Sequence, residues 1–354
     1  MSSPFTVGTV GRDVPLEVLD AAGARAVRLR GRPGVPLDAA DRYLGVGLDP
    51  AIRSLLAVQL EQGFAGLDAI AVGSDTDAAQ RLFYLLRELR RVEPGMGVPP
   101  VHLVDVLHRP RASSLRYTVR MVRAFVEVVE GWTEVAVTDD ALRAAAERRD
   151  AVRRAGRALL PLRHSGRMTG AEFQDLLVAG GAEHPSASLA RLEQAAADAS
   201  ARTPIEGRLR VLLTGSGHDD AAVVAAIEAA GTIVVADDHP DGELDLAPLV
   251  AEQYPPLRTD PLEAIAARWQ RNGPSPHRAS IGDRARHTAE LVQESGAELI
   301  VAYVRERDDA PLWDAADQER TSGVPLVLMR RQAYAEIDEA GIAALAAAVE
   351  GSRP

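Results

Sequence analysis

Apolar and polar residues follow one another along this chain in short blocks. The clearest set runs from Arg208 to Glu243. Leu209 to Leu213 is an apolar run of the kind shown by a parallel strand buried on both faces. It breaks into Thr214-Gly215-Ser216-Gly217, a loop whose glycines allow a tight turn and a close backbone approach. Asp219 and Asp220 then open an Ala-rich helix, Ala221 to Ala230, since acids are favoured near a helix N-terminus. Gly231 can end that helix. A second apolar run, Thr232 to Ala236, stops at Asp237-Asp238. The pattern is one βαβ unit with a polar loop at the carboxyl end of each strand, the edge at which open α/β sheets bind ligands.

The same alternation marks residues 1–112. Pro15 to Ala22 reads as a helix, Ala26 to Leu29 as a strand, and Pro50 to Gln62 as a helix with Asp49 as N-cap and Pro50 at its first position. Leu67 to Val72 is a strand, Gly73-Ser74-Asp75-Thr76-Asp77 a loop, Ala78 to Arg91 a helix and Val101 to Val106 a strand. Residues 113–205 show only helical periodicity: Ser114 to Glu130, Thr138 to Leu160, Thr169 to Ala179 and Ser186 to Ala201. The helix after Thr138 is acid-first and base-last, which complements its dipole. Its arginines read as a phosphate site or as a solvated face, and charge runs are usually the latter. Residues 206–354 return to α/β, with helices at Pro261 to Arg271, Ile281 to Ser295, Trp313 to Ser322 and Tyr334 to Glu350. Strands are expected at Ala297 to Tyr303 and Val324 to Met329. The predicted architecture is α/β: two Rossmann-like parallel-sheet domains, 1–112 and 206–354, with a helical segment, 113–205, between them.

Composition narrows the chemistry. The chain has 354 residues, is 46% hydrophobic and carries a formal charge of −11, which argues against nucleic acid as the main partner. No stretch is long and apolar enough to span a bilayer, and the N-terminus lacks a basic-then-apolar signal layout, so a cytoplasmic location is expected. There are no cysteines. Disulfides, thiolate nucleophiles and Cys-ligated zinc or iron–sulfur clusters are therefore excluded within this chain.

The order of motifs resembles one family. Val14-Pro15-Leu16-Glu17-Val18-Leu19-Asp20-Ala21-Ala22-Gly23 followed by Ala26-Val27-Arg28-Leu29 is similar to its opening. Asp49-Pro50-Ala51-Ile52-Arg53-Ser54 stands where it has C-P-x-x-R-S. Leu67-Asp68-Ala69-Ile70 with Thr76-Asp77-Ala78 stands where it has D-G-I and C-D-A. Arg210 to Asp238 and Ala297 to Met329 are similar to its later elements. The chain is identified as a member of the 2-hydroxyacyl-CoA dehydratase and benzoyl-CoA reductase subunit family. The resemblance implies paired subunits, each holding a [4Fe–4S] cluster through cysteines from both α/β halves. It also implies an ATP-driven electron donor and a ketyl-radical step on a CoA thioester. Three positions where the family has cysteine hold Asp49, Thr76 and Asp308 here, and Ser275 lies near a fourth. Hard oxygen donors do not replace thiolates around iron and sulfide. No cluster is expected in this chain, and no resident cofactor.

Each candidate residue admits two readings. Asp49, Thr76 and Asp308 are former ligands converging on a new oxygen-donor site, or a helix cap and ordinary loop residues. Ser74, Asp75, Thr76 and Asp77 form a ligand loop at a strand's carboxyl edge, or a loop that is polar by default. Thr214, Gly215, Ser216 and Gly217 can bring backbone N–H groups to CoA phosphates, or form a plain strand-to-helix turn. His218 is an acid–base group or an unremarkable loop histidine. Asp237, Asp238 and His239 have metal-ligand composition, but Pro240-Asp241-Gly242 beside them is turn chemistry. Three functions remain open. The preferred one is a non-catalytic or accessory subunit that pairs with a Cys-bearing relative, or with itself, and binds acyl-CoA. The second is an enzyme with cluster-independent chemistry through Asp49 and Asp308. The third is a two-lobed nucleotide or small-ligand binding protein.

Overall fold

The computed structural model describes residues 4–352. In chain order the first elements are β1 (Thr6–Val10), α1 (Leu16–Ala21), β2 (Arg25–Arg28), α2 (Asp38–Leu44), α3 (Pro50–Gln62), β3 (Ala69–Gly73), α4 (Asp77–Val92) and β4 (Val101–Val104). Four helices follow: α5 (Ala112–Thr133), α6 (Asp139–His164), α7 (Gly170–Gly180) and α8 (Pro185–Ser200). Then come β5 (Leu209–Gly215), α9 (Ala222–Ala229), β6 (Thr232–Asp237), α10 (Pro261–Gln270) and α11 (Ile281–Ser295). The chain closes with β7 (Leu299–Arg305), α12 (Ala310–Ser322), β8 (Leu326–Gln332) and α13 (Glu339–Gly351).

The strands form two four-stranded sheets, ordered β2-β1-β3-β4 and β6-β5-β7-β8, with every pairing parallel. The α/β class and the two Rossmann-like sheets expected from the sequence are present. Each sheet belongs to one of two compact units. Unit 1 runs to Ala151 and adds Gly181–His184 and Pro248–Asn272; unit 2 holds Val152–Gly180, Pro185–Ala247 and the chain from Gly273. The helical stretch is shared between them, the division falling inside α6 between Ala151 and Val152.

The strand period of two sorts the core of unit 1 onto two faces. Ala69 and Ala71 pack with Val18, Leu19, Phe125 and Trp269 on one side. Ile70 and Val72 pack with Leu55, Leu56, Leu82 and Leu86 on the other. Unit 2 repeats the arrangement: Val211, Leu213 and Val301 face Val224, Ile227 and Leu345, whereas Leu212 and Ile300 face Leu291 and Val292. With both faces covered, the central strands show no solvent-side alternation, which is why β3 and much of β5 and β6 read as continuous apolar runs. Full burial of a side chain such as Leu56 or Ile70 contributes about 1.5–3 kcal/mol.

Two elements escape the hydrophobic pattern. In β1, Thr6, Gly8 and Thr9 interrupt the apolar run. The seven-residue α2 follows a Gly- and Pro-rich stretch, and its N-cap Leu37 has no side-chain cap hydrogen bond. At Asp219-Asp220 the helix starts later than expected: Asp220 Oδ1 accepts from Ala222 N at 2.8 Å, whereas Asp219 turns to Tyr334.

Candidate functional site

Strand order reverses beside β5 in unit 2, so the loops after β5 and β7 flank the place where such sheets bind ligands. All five residues expected there are engaged by the protein. Thr214 Oγ1 accepts from Arg284 and Gln318, each at 3.0 Å. Gly215 has φ +112, and a Cβ on it would lie 2.1 Å from the Tyr303 carbonyl oxygen, so only glycine fits. Ser216 N–H donates to that carbonyl at 2.8 Å. The Gly217 carbonyl accepts from Arg305, and the His218 carbonyl accepts from Gln174 Nε2 at 2.7 Å. A small cleft lies beside this loop, lined by Gly217, His218, Asp219, Arg305 and Tyr334 among others.

Asp308 closes the loop after β7. It is buried, and Ser216 Oγ donates to its Oδ2 at 2.6 Å while His277 Nε2 lies 2.9 Å from its Oδ1. Arg305 stands 3.7 Å away. Burial alone would raise its pKa; the hydrogen bond from His277, the charges of Arg305 and His277 and the bond from Ser216 outweigh burial and lower it to about 2. Asp308 is a fixed anion whose oxygens already have donors. Ser275 is buried in a turn, its carbonyl accepting from Arg278 and Ala279.

The run Asp237-Asp238-His239 divides three ways. Asp237 pairs with the buried Arg163 at 2.5 Å and accepts from Glu243 N at 2.8 Å. Asp238 is fully buried with Arg284 at 3.1 Å, Thr288 and Gln318. His239 packs edge-on against His218, ring centroids 4.5 Å apart. Burial lowers the pKa of both histidines, most strongly that of His218, where His239 and Arg305 add to it. Among the described residues, no three His, Asp or Glu side chains stand close enough to hold a metal ion.

In unit 1 the corresponding reversal lies beside β1, between the loops after β1 and β3. Asp49 Oδ1 accepts from Ala51 N at 2.9 Å and caps α3; Thr76 Oγ1 accepts from Ala79 N at 3.1 Å and caps α4. Ser74 Oγ donates to Asp105 Oδ1 at 2.9 Å. Asp75 Oδ2 accepts from Arg12 N at 2.7 Å and ties the two loops together. Asp77 is the exposed first residue of α4, where its charge suits the dipole. A second pair at this edge has no local signature in the sequence: His108 Nε2 lies 2.7 Å from the fully buried Asp13. The roles of His277, Arg284 and Arg163 are hidden for the same reason, since their acidic partners lie 30 to 80 residues away. The one local signal was Arg284 and Thr288 on the inward stripe of α11.

The sequence profile of the 2-hydroxyglutaryl-CoA dehydratase D-component family matches residues 13–309. The chain belongs to that family. Comparison with curated proteins finds no match. This dehydratase-family subunit does not fit the cysteine-held cluster that the resemblance implies. It has no thiol, and Asp49, Thr76 and Asp308 are already bonded inside the chain: two helix caps and a buried carboxylate with three cationic or hydroxyl neighbours. Thiolates are soft and these donors are hard. Among the described residues no helix is long and apolar enough to cross a membrane.

Proposed function

We propose that this chain is a cluster-free subunit of a dehydratase-family assembly. In this reading it pairs with a cysteine-bearing relative, keeps affinity for acyl-CoA, and leaves the radical step to its companion. The observation that carries it is that Asp49, Thr76 and Asp308, which the resemblance sets at ligand positions, are all bonded within the chain. Asp49 and Thr76 serve α3 and α4, and Asp308 serves the loops after β5 and β7, so each has an internal task. Family membership supports a partner component, and the thioester is what the family's name suggests.

The test is to mix the purified chain with a cysteine-bearing family subunit and follow the complex by size-exclusion chromatography. Titration of the chain with CoA and butyryl-CoA by calorimetry accompanies it. A stable complex and saturable heat support the reading. No complex and no heat reject it, as does a stoichiometric cluster reconstituted anaerobically on this chain alone.

One observation favours a second reading, an enzyme with cluster-independent acid–base chemistry. Asp308 is held ionised against the imidazole of His277, an arrangement that fixes a histidine tautomer. Turnover of a CoA ester that Asp308→Asn abolishes would support it.

A further inference from the structure

The geometry points to the outer face of α5 as a docking surface for an acidic face of a protein partner. Helix α5 buries Ser114, Thr118, Val122, Phe125 and Val129. Arg116, Arg120 and Arg123 lie on the other side, at spacings of four and three that place them in one row. Arg109 and Arg111 precede the helix and are also exposed. Among the described residues none of these five arginines has an ion pair, although arginines elsewhere in the chain are repeatedly matched with acids. Arg120 lies over the ring of Tyr117, 5.7 Å from its centroid, and Leu107, whose N–H donates to Thr118 of the same helix, is 40% exposed. Arginine with tyrosine and an exposed aliphatic is the composition of interface anchors.

Length and shape decide the class of occupant. From Arg116 to Arg123 the row extends about 10 Å at the helical rise of 1.5 Å per residue, and Arg109 and Arg111 carry the exposed positive charge on past the helix N-terminus. That is too long for one diphosphate, and the outer face of a helix is convex. A row of forked donors of that length matches a line of carboxylates on another protein. A net charge of −11 disfavours an acidic partner over the surface as a whole, so a clustered positive row is what such a partner requires. The inference rests on the pairing reading for the identity of the partner only; the chemistry of the surface is independent of it.

The test uses a fluorescein-labelled peptide of twenty glutamates and the full chain, read by anisotropy. The wild type is expected to bind saturably at 50 mM salt and at least tenfold more weakly at 200 mM. Arg116→Gln/Arg120→Gln/Arg123→Gln should weaken binding at least tenfold. A control changing the exposed Arg81, Arg90 and Arg330 to Gln alters net charge equally and should leave it within twofold. Equal loss in both triple variants, no wild-type binding, or displacement by equimolar pyrophosphate overturns the surface. A cysteine-bearing subunit that pairs equally with wild type and the α5 variant also overturns it while leaving the pairing intact. Peptide binding as expected with no pairing to any such subunit overturns the pairing and leaves the surface.

Discussion

Ser216 Oγ donates to Asp308 Oδ2 at 2.6 Å, and this bond joins the end of β5 to the end of β7 across 92 residues of sequence. The same hydroxyl accepts from Arg305 N at 3.0 Å. Ser216 therefore has one donor and one acceptor role filled, and Asp308, not a histidine, accepts its hydrogen bond. The geometry is that of a loop clasp, not of an activated nucleophile.

The clasp predicts an acid transition. Asp308 titrates at about 2 instead of 3.8, so its contribution is complete above the unfolded value and is lost as pH falls from about 4 to 2. A shift of that size corresponds to about 2 kcal/mol. Urea unfolding at pH 5 and pH 2 should show the stability difference shrinking by about that amount in Asp308→Asn. An unchanged difference would mean that the carboxylate does not carry the clasp.

Arg284 is fully buried and donates to Asp238, Asp314, Thr214 and the carbonyl of Pro274. Replacing it by Met leaves Asp238 without its cation, and breaking one side of a buried pair costs about 3–5 kcal/mol. Arg284→Met/Asp238→Asn should be more stable than the sum of its single variants. Chemical denaturation of the four proteins measures the coupling, and strict additivity would contradict it.

His218 and His239 predict a second pH effect at milder acidity. Their pKa values are lowered from 6.5, first by burial, and for His218 also by His239 and Arg305; Asp237 and Asp241 act against this at His239. Between 6.5 and the folded values the unfolded chain binds more protons, so stability is full above 6.5 and falls as pH drops below it. The urea midpoint should decrease from pH 7.5 to pH 5.5, and His218→Phe should flatten that decrease. A midpoint independent of pH over this window would show that the ring pair does not resist protonation.

Local chemistry was legible in the sequence wherever it acts over a few residues. Asp49-Pro50 announced the start of α3, and the apolar runs at Leu209–Leu213 and Thr232–Ala236 lie within β5 and β6. The site was not legible, because its bonds are long in sequence. Gln318 reaches Thr214 across 104 residues and Arg284 reaches Asp238 across 46. A polar residue in a loop looks the same whether it faces water or a buried guanidinium. Only the paired sheet edges separate Asp238, which is fully buried, from Asp77, which is exposed.

Asp49 and Thr76 offer the sharpest separation between a retained ligand and a structural residue. Each side chain accepts one backbone N–H of the following helix, Ala51 for Asp49 and Ala79 for Thr76. A cap needs an oxygen acceptor on a short side chain and is indifferent to charge; a metal ligand or a general base needs the carboxylate. Asp49→Ala and Thr76→Ala should each cost about 1 kcal/mol, whereas Asp49→Asn and Thr76→Ser should stay within about 0.5 kcal/mol of wild type. CoA-ester affinity should be unchanged in Asp49→Asn. Thermal denaturation with calorimetric titration reads both quantities. Loss of affinity in Asp49→Asn with stability intact would assign the carboxylate to ligand chemistry and remove the capping account.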